Sequence, residues 1–159
     1  MRLFFALWPP RETALALERW AKPLGGRCTA AQKIHLTLAF LGEANPERAV
    51  LAARRVQAPL FDLPVDDARY WIHNRIVWVG PREMPPALAL LAESLQLELY
   101  RESFMLERRS FAAHVTLLRK APEQLLPPLP RLVEWPVNEF ALVHSSGGRY
   151  ETLERFRLG

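Results

Sequence analysis

The stretch Ile34–Phe40 reads IHLTLAF, and a near copy 79 residues further on, Ala113–Arg119, reads AHVTLLR. Each is a short apolar run interrupted by one His-x-Thr. On a strand, residues i and i+2 share a face. His35 and Thr37 therefore point one way, and Ile34, Leu36, Leu38 and Phe40 the other. In the second copy His114 and Thr116 share a face opposite Ala113, Val115 and Leu117. Each strand is expected to bury its apolar face and present one imidazole and one hydroxyl to a cleft. With four histidines and five threonines in the chain, accident produces two such pairs with a chance of only roughly 0.6%. A fold that makes the two strands face each other is the natural reading.

The remaining pattern supplies that fold. Arg2–Trp8 reads as a buried strand, Pro10–Lys22 as a helix, and Arg27–Lys33 as a polar loop. Asn45-Pro46-Glu47 is an N-cap, an N1 proline and a first-turn acid, opening a helix to about Gln57. Leu60–Val65, Ala68–His73 and Arg75–Val79 read as short strands. A long helix runs from Pro85-Pro86 to about Phe104, with Leu88, Leu91, Leu95 and Leu99 inside and Glu93, Glu98 and Arg101 outside. Glu107–Ser110 reads as a charged loop and Pro122–Pro130 as an extended connection. Leu132–Pro136, Phe140–Ser145 and Arg149–Phe156 are the last strands, with a hairpin turn at 145–148. The expected architecture is α+β. One bilobal domain, residues 1–159, holds two mostly antiparallel sheets with helices outside and a pseudo-twofold around a central cleft.

Bulk properties narrow the function. The net charge of +4 suits an anionic ligand such as RNA. Cys28, the single cysteine, cannot close an intrachain disulfide and has no histidine beside it, so a structural thiol is expected. No apolar run is long enough to span a membrane. The segment MRLFFALWPP is too short an apolar run for a signal peptide, so a cytoplasmic location is expected.

Two imidazoles across a cleft can act as base and acid in one displacement, since histidine titrates near neutrality. In phosphoryl transfer the attacking and leaving oxygens lie on opposite sides of phosphorus. The threonine hydroxyls can donate to the non-bridging oxygens. Neither motif brings a second histidine or a carboxylate at metal-ligand spacing, so no metal or other cofactor is expected. Serine-triad and phosphate-loop signatures are also lacking. Arg119 has the wrong parity to join His114 and Thr116 on an ideal strand. It reaches them only if the strand ends or bulges near Leu118; otherwise it is solvated beside Lys120. His73 and His144 lack the threonine partner and read as a turn residue and a strand residue. Trp8 and Phe40 could stack on a base, although core packing is the plainer reading.

With RLFFALWP, HLTLAFLGE, FAAHVTLLR and GGRYETLERFRL in view, the chain resembles the RNA 2′,3′-cyclic phosphodiesterases of the two-histidine phosphoesterase superfamily, also described as 2′-5′ RNA ligases. The resemblance implies hydrolysis of a 2′,3′-cyclic phosphate RNA end to a 2′-phosphate. It implies His35 as proton donor and His114 as proton acceptor, with Thr37, Thr116 and Arg119 binding the phosphate. Expected substrates are RNA ends, including tRNA halves, or cyclic nucleotides, and a monomer is expected. The competing readings are a 2′-5′ ligase and a non-catalytic module that holds RNA ends. The chain departs from the family at Ala39, where arginine is common, and at Ala113, where proline is common.

Overall fold

In a computed structural model, which describes residues 1–106, 111–131 and 133–159, the apolar N-terminal run forms strand β1 (Arg2–Leu7), buried from Leu3 onward. Helix α1 (Arg11–Ala21) follows Pro10, and the Thr13 hydroxyl donates to the Glu134 carbonyl. A 3₁₀ turn, Lys22–Leu24, leads to Gly25 and Gly26. The expected polar loop contains the two-residue strand β2 (Arg27–Cys28) and a second 3₁₀ turn, Ala31–Lys33. Two residues are too few to show a period, which is why β2 is invisible in sequence.

The first motif strand, β3 (Leu36–Glu43), precedes α2 (Pro46–Arg54). The Asn45 side chain accepts from the Glu47 amide at 2.9 Å, the cap read from sequence. Pro59 disfavours helix at the residue before it, and α2 stops short of Gln57. The expected strand at 60–65 shrinks to β4 (Phe61–Asp62). β5 (Asp67–Trp71) and β6 (Ile76–Gly80) form a hairpin across the 72–75 turn. Helix α3 (Pro86–Arg101) ends before Phe104, where Ser103 adopts a φ of 66°. The second motif strand is β7 (Val115–Arg119), and β8 (Pro136–Val137), β9 (Glu139–Ser146) and β10 (Arg149–Arg157) complete the fold. The turn between the last two strands places both Gly147 and Gly148 at positive φ, as a tight hairpin needs. The charged loop 107–110 and the start of the expected strand at Leu132 lie outside the described residues, and 133–135 is not strand.

The described strands form two four-stranded sheets, ordered β10-β9-β1-β3 and β2-β7-β6-β5, with β4 and β8 pairing separately; all pairings are antiparallel. Each motif strand thus belongs to a different sheet. The helices cross over: α1, which precedes β3 in sequence, packs against β7, and α3, which precedes β7, packs against β3. Leu88, Leu91, Leu95 and Leu99 are wholly buried, as their spacing requires. Glu98 corrects the expectation for the outer face of α3. It is only 8% exposed, because α2 packs there and the Arg55 guanidinium reaches its carboxylate at 2.7 Å, with Arg101 at 3.0 Å.

Candidate active site

The apolar residues beside each motif place its polar pair. Ile34 and Leu36 are fully buried, and so are Val115 and Leu117, which leaves His35, Thr37, His114 and Thr116 on the opposite faces. All four line one open cleft of about 650 Å³ between the two sheets, together with Arg119. That volume suits a nucleotide-sized ligand.

The two imidazoles are held in the same way. His35 Nδ1 lies 2.7 Å from the Lys33 carbonyl oxygen, and His114 Nδ1 lies 3.1 Å from that of Ala112. A carbonyl only accepts, so each Nδ1 carries the proton and each neutral ring keeps a lone pair on Nε2. His35 Nε2 is 3.1 Å from the Thr37 hydroxyl.

Aromatic rings set the two environments apart. His35 sits among Phe4, Trp8 and Tyr150, with ring centroids at 5.1, 5.4 and 5.4 Å. His114 packs against Trp71 at 4.9 Å and Trp78 at 6.1 Å. Burial pulls the His35 pKa below its ordinary 6.5. The Lys33 carbonyl opposes this, and the charges of His114 and Arg119 add to it.

A β-bulge follows the threonine in both copies. Thr37 pairs with Ala6 while Ala39 pairs with Phe5, so Leu38 is an extra residue. Thr116 pairs with Trp78 while Leu118 pairs with Val77, so Leu117 is extra. A bulge reverses the parity of every later residue on its strand. Arg119 therefore reaches the cleft, by the route its sequence position demanded. Phe40 is turned the same way, out of the core face expected for it, and stands 53% exposed at the cleft. Phe40 and Arg119 occupy the same place in the two copies, five residues after the histidine.

Several cleft residues had no signal at the sequence level. Arg2, Arg27 and Lys33 bring cations to it, and Tyr150 brings a ring. The tail segment GGRYETLERFRL, through its family likeness, was the one available pointer to Tyr150. Trp8 lies against His35 rather than standing free as a stacking platform. Cys28 also lines the cleft, but burial raises its pKa and keeps it a thiol. His73 lies in the exposed 72–75 turn and His144 within β9, and neither is among the cleft residues. No described carboxylate lines the cleft, and the described residues hold no cluster of three or more metal-ligating side chains.

Two antiparallel sheets, each delivering a His-x-Thr strand to a shared cationic cleft, define a two-histidine phosphoesterase. A family model described as LigT-like phosphoesterase matches residues 7–78, a span that holds the first motif. An Escherichia coli (strain K12) protein named RNA 2′,3′-cyclic phosphodiesterase is 40% identical over 169 residues, covering 99% of this chain and 96% of the relative. Crystal structures of E. coli LigT superpose over 99% of the chain at 38% identity. The apo form gives a TM-score of 0.89 with 96% of that chain covered, and the 3′-AMP complex gives 0.88 with 97% covered. The chain belongs to the LigT-like phosphoesterases, in the branch of the RNA 2′,3′-cyclic phosphodiesterases.

Proposed function

We propose that the chain hydrolyses 2′,3′-cyclic phosphate ends of RNA to 2′-phosphates, with His114 as proton acceptor and His35 as proton donor. The observation that carries this is the shared cleft: two Nδ1-anchored imidazoles, each beside a strand of a different sheet, line it together with Thr37, Thr116 and Arg119. Water attacks phosphorus and gives its proton to His114 Nε2. The P–O3′ bond breaks, and the departing 3′ oxygen takes the proton of His35. Exchange with solvent then restores both rings. The two threonine hydroxyls and the Arg119 guanidinium hold the non-bridging oxygens as charge grows on them. The 3′-AMP complex of E. coli LigT supports a nucleotide phosphate as the ligand of this fold.

The depressed pKa of His35 belongs to the free protein. A bound phosphate anion favours the imidazolium and supplies the protonated donor when it is needed. Each chain carries both histidines, so the site is complete in a monomer. tRNA halves that end in a cyclic phosphate are among the RNA substrates proposed. Run in reverse, the same chemistry joins a 5′-hydroxyl to that end through a 2′-5′ bond, and product analysis separates the two directions.

The test is turnover of RNA bearing a 2′,3′-cyclic phosphate. His35→Ala and His114→Ala are each expected to lose about 10²–10⁴-fold in kcat. Folded variants that both retain wild-type turnover sink the assignment.

A further inference from the structure

The cleft has four cations among its described lining residues: Arg2, Arg27, Lys33 and Arg119. Two of them have partners within the protein, and a third is the one proposed above for the reacting phosphate. The Lys33 ammonium donates to the Gly148 carbonyl and lies 5.8 Å from the centre of the Tyr150 ring. Arg2 lies over Phe40, 5.1 Å from its centroid. Arg119 is the arginine assigned to the reacting phosphate. Arg27 has no carboxylate, carbonyl or aromatic partner among the described residues.

Its position is built rather than incidental. β2 is a two-residue edge strand whose Arg27 stands directly opposite Arg119 on β7. Directly opposed residues share a face, and like charges placed so repel. The backbone nevertheless enforces the pair. Gly26, at φ +86°, packs so closely that a Cβ there would lie 2.6 Å from the Arg119 carbonyl oxygen. The Thr29 amide donates to the Leu117 carbonyl at 2.8 Å, and its hydroxyl donates to the Thr116 carbonyl at 3.2 Å. Two arginines held opposite each other on neighbouring strands that line one cleft call for more than one anionic group.

The cyclic phosphate has two non-bridging oxygens. Two threonine hydroxyls and the fork of Arg119 already supply four donors to them. A second arginine therefore needs a second phosphate. In an RNA end, the next one along the strand is the 5′-phosphate of the terminal nucleotide. A lone nucleoside 2′,3′-cyclic phosphate lacks it.

Resting on the phosphodiesterase reading, we propose that Arg27 binds the phosphate 5′ to the terminal nucleotide, and thereby selects RNA ends over free nucleoside cyclic phosphates.

Two small substrates isolate that single group: adenosine 2′,3′-cyclic phosphate with a 5′-hydroxyl, and the same compound with a 5′-phosphate. The wild type is expected to favour the 5′-phosphorylated compound by about tenfold in kcat/KM, the size of a charge-assisted contact. Arg27→Gln is expected to abolish that preference while losing less than about threefold on the 5′-hydroxyl compound. Arg27→Lys should retain part of the preference as a point charge. Arg119→Gln should lower turnover of both compounds. A preference that survives in Arg27→Gln overturns the proposal, as does an equal loss on both compounds or a wild type that treats them alike. In each of those cases turnover of the 5′-hydroxyl compound leaves the phosphodiesterase reading standing. A wild type that turns over RNA cyclic-phosphate ends but neither small compound overturns the proposal alone, and one that turns over none of the three sinks both.

Discussion

The two histidines share a tether but not a medium. His35 lies in an aromatic enclosure of Phe4, Trp8 and Tyr150 that disfavours its charged form, so its folded pKa lies below 6.5. The unfolded chain protonates this ring at the ordinary value. Between the two pKa values the unfolded state binds more protons, and stability therefore rises with pH. The contribution of His35 is fully present above 6.5 and is lost as pH falls through the folded pKa. Urea unfolding between pH 7 and pH 5 is expected to show that slope in the wild type and a flatter one in His35→Gln. Equal slopes would mean the ring titrates as it does in water. Catalysis should carry the same mark. The basic limb of kcat/KM reports the free protein, so it should lie at lower pH than the basic limb of kcat, where a phosphate anion sits beside the donor.

At the scale of elements, the alternation in the motif strands was legible because one face is buried. Ile34, Leu36, Val115 and Leu117 have no exposed surface at all, so a one-residue slip would put the histidines in the core. The long helices were legible for a like reason, with their leucine stripe and asparagine cap. What sequence did not reveal was the bulge after each threonine. The extra residue is an ordinary leucine in both copies, and nothing local marks Leu38 or Leu117 as unpaired. That one feature decides where Phe40 and Arg119 point. Short strands such as β2 were illegible because contacts made across the fold define them. Glu98 was misread because an outward polar position on one helix became the inward neighbour of another. Gly80 shows how a remote element fixes the site. A Cβ there would meet the Ala113 carbonyl oxygen at 2.6 Å, one residue before His114. Gly80→Ala should push the start of β7 away from β6 and lower kcat by about 10²-fold, the cost of a shift near 1 Å, with little change in KM. Unchanged kcat in a variant of lowered Tm would make Gly80 a packing residue only.

At the scale of the whole molecule, the question is whether the two sheets are separate bodies that happen to meet. The core answers against it. One contiguous buried cluster takes in Leu3, Phe5 and Leu7 of β1, Leu36 and Leu38 of β3, Val77 and Val79 of β6, and Val115 and Leu117 of β7. The leucines of α3 belong to the same cluster, although α3 follows one sheet in sequence and packs against the motif strand of the other. Neither motif strand can lose its neighbours without exposing apolar surface that belongs to both. Residues 1–159 should therefore unfold as one domain, in a single transition seen at the same temperature by tryptophan fluorescence and far-ultraviolet circular dichroism. Leu95, fully buried on α3, provides the sharper test. Leu95→Ala should cost about 2–5 kcal/mol, a fall in Tm of about 5–15 °C, and should move both probes together. Two separated transitions in this variant would show that the sheets hold their structure independently. The two imidazoles would then owe their alignment to a hinge, and activity should fade below the main melting temperature. A single core predicts instead that activity persists until the whole fold is lost, because what brings His35 and His114 to one cleft is the same buried apolar surface that keeps the chain folded.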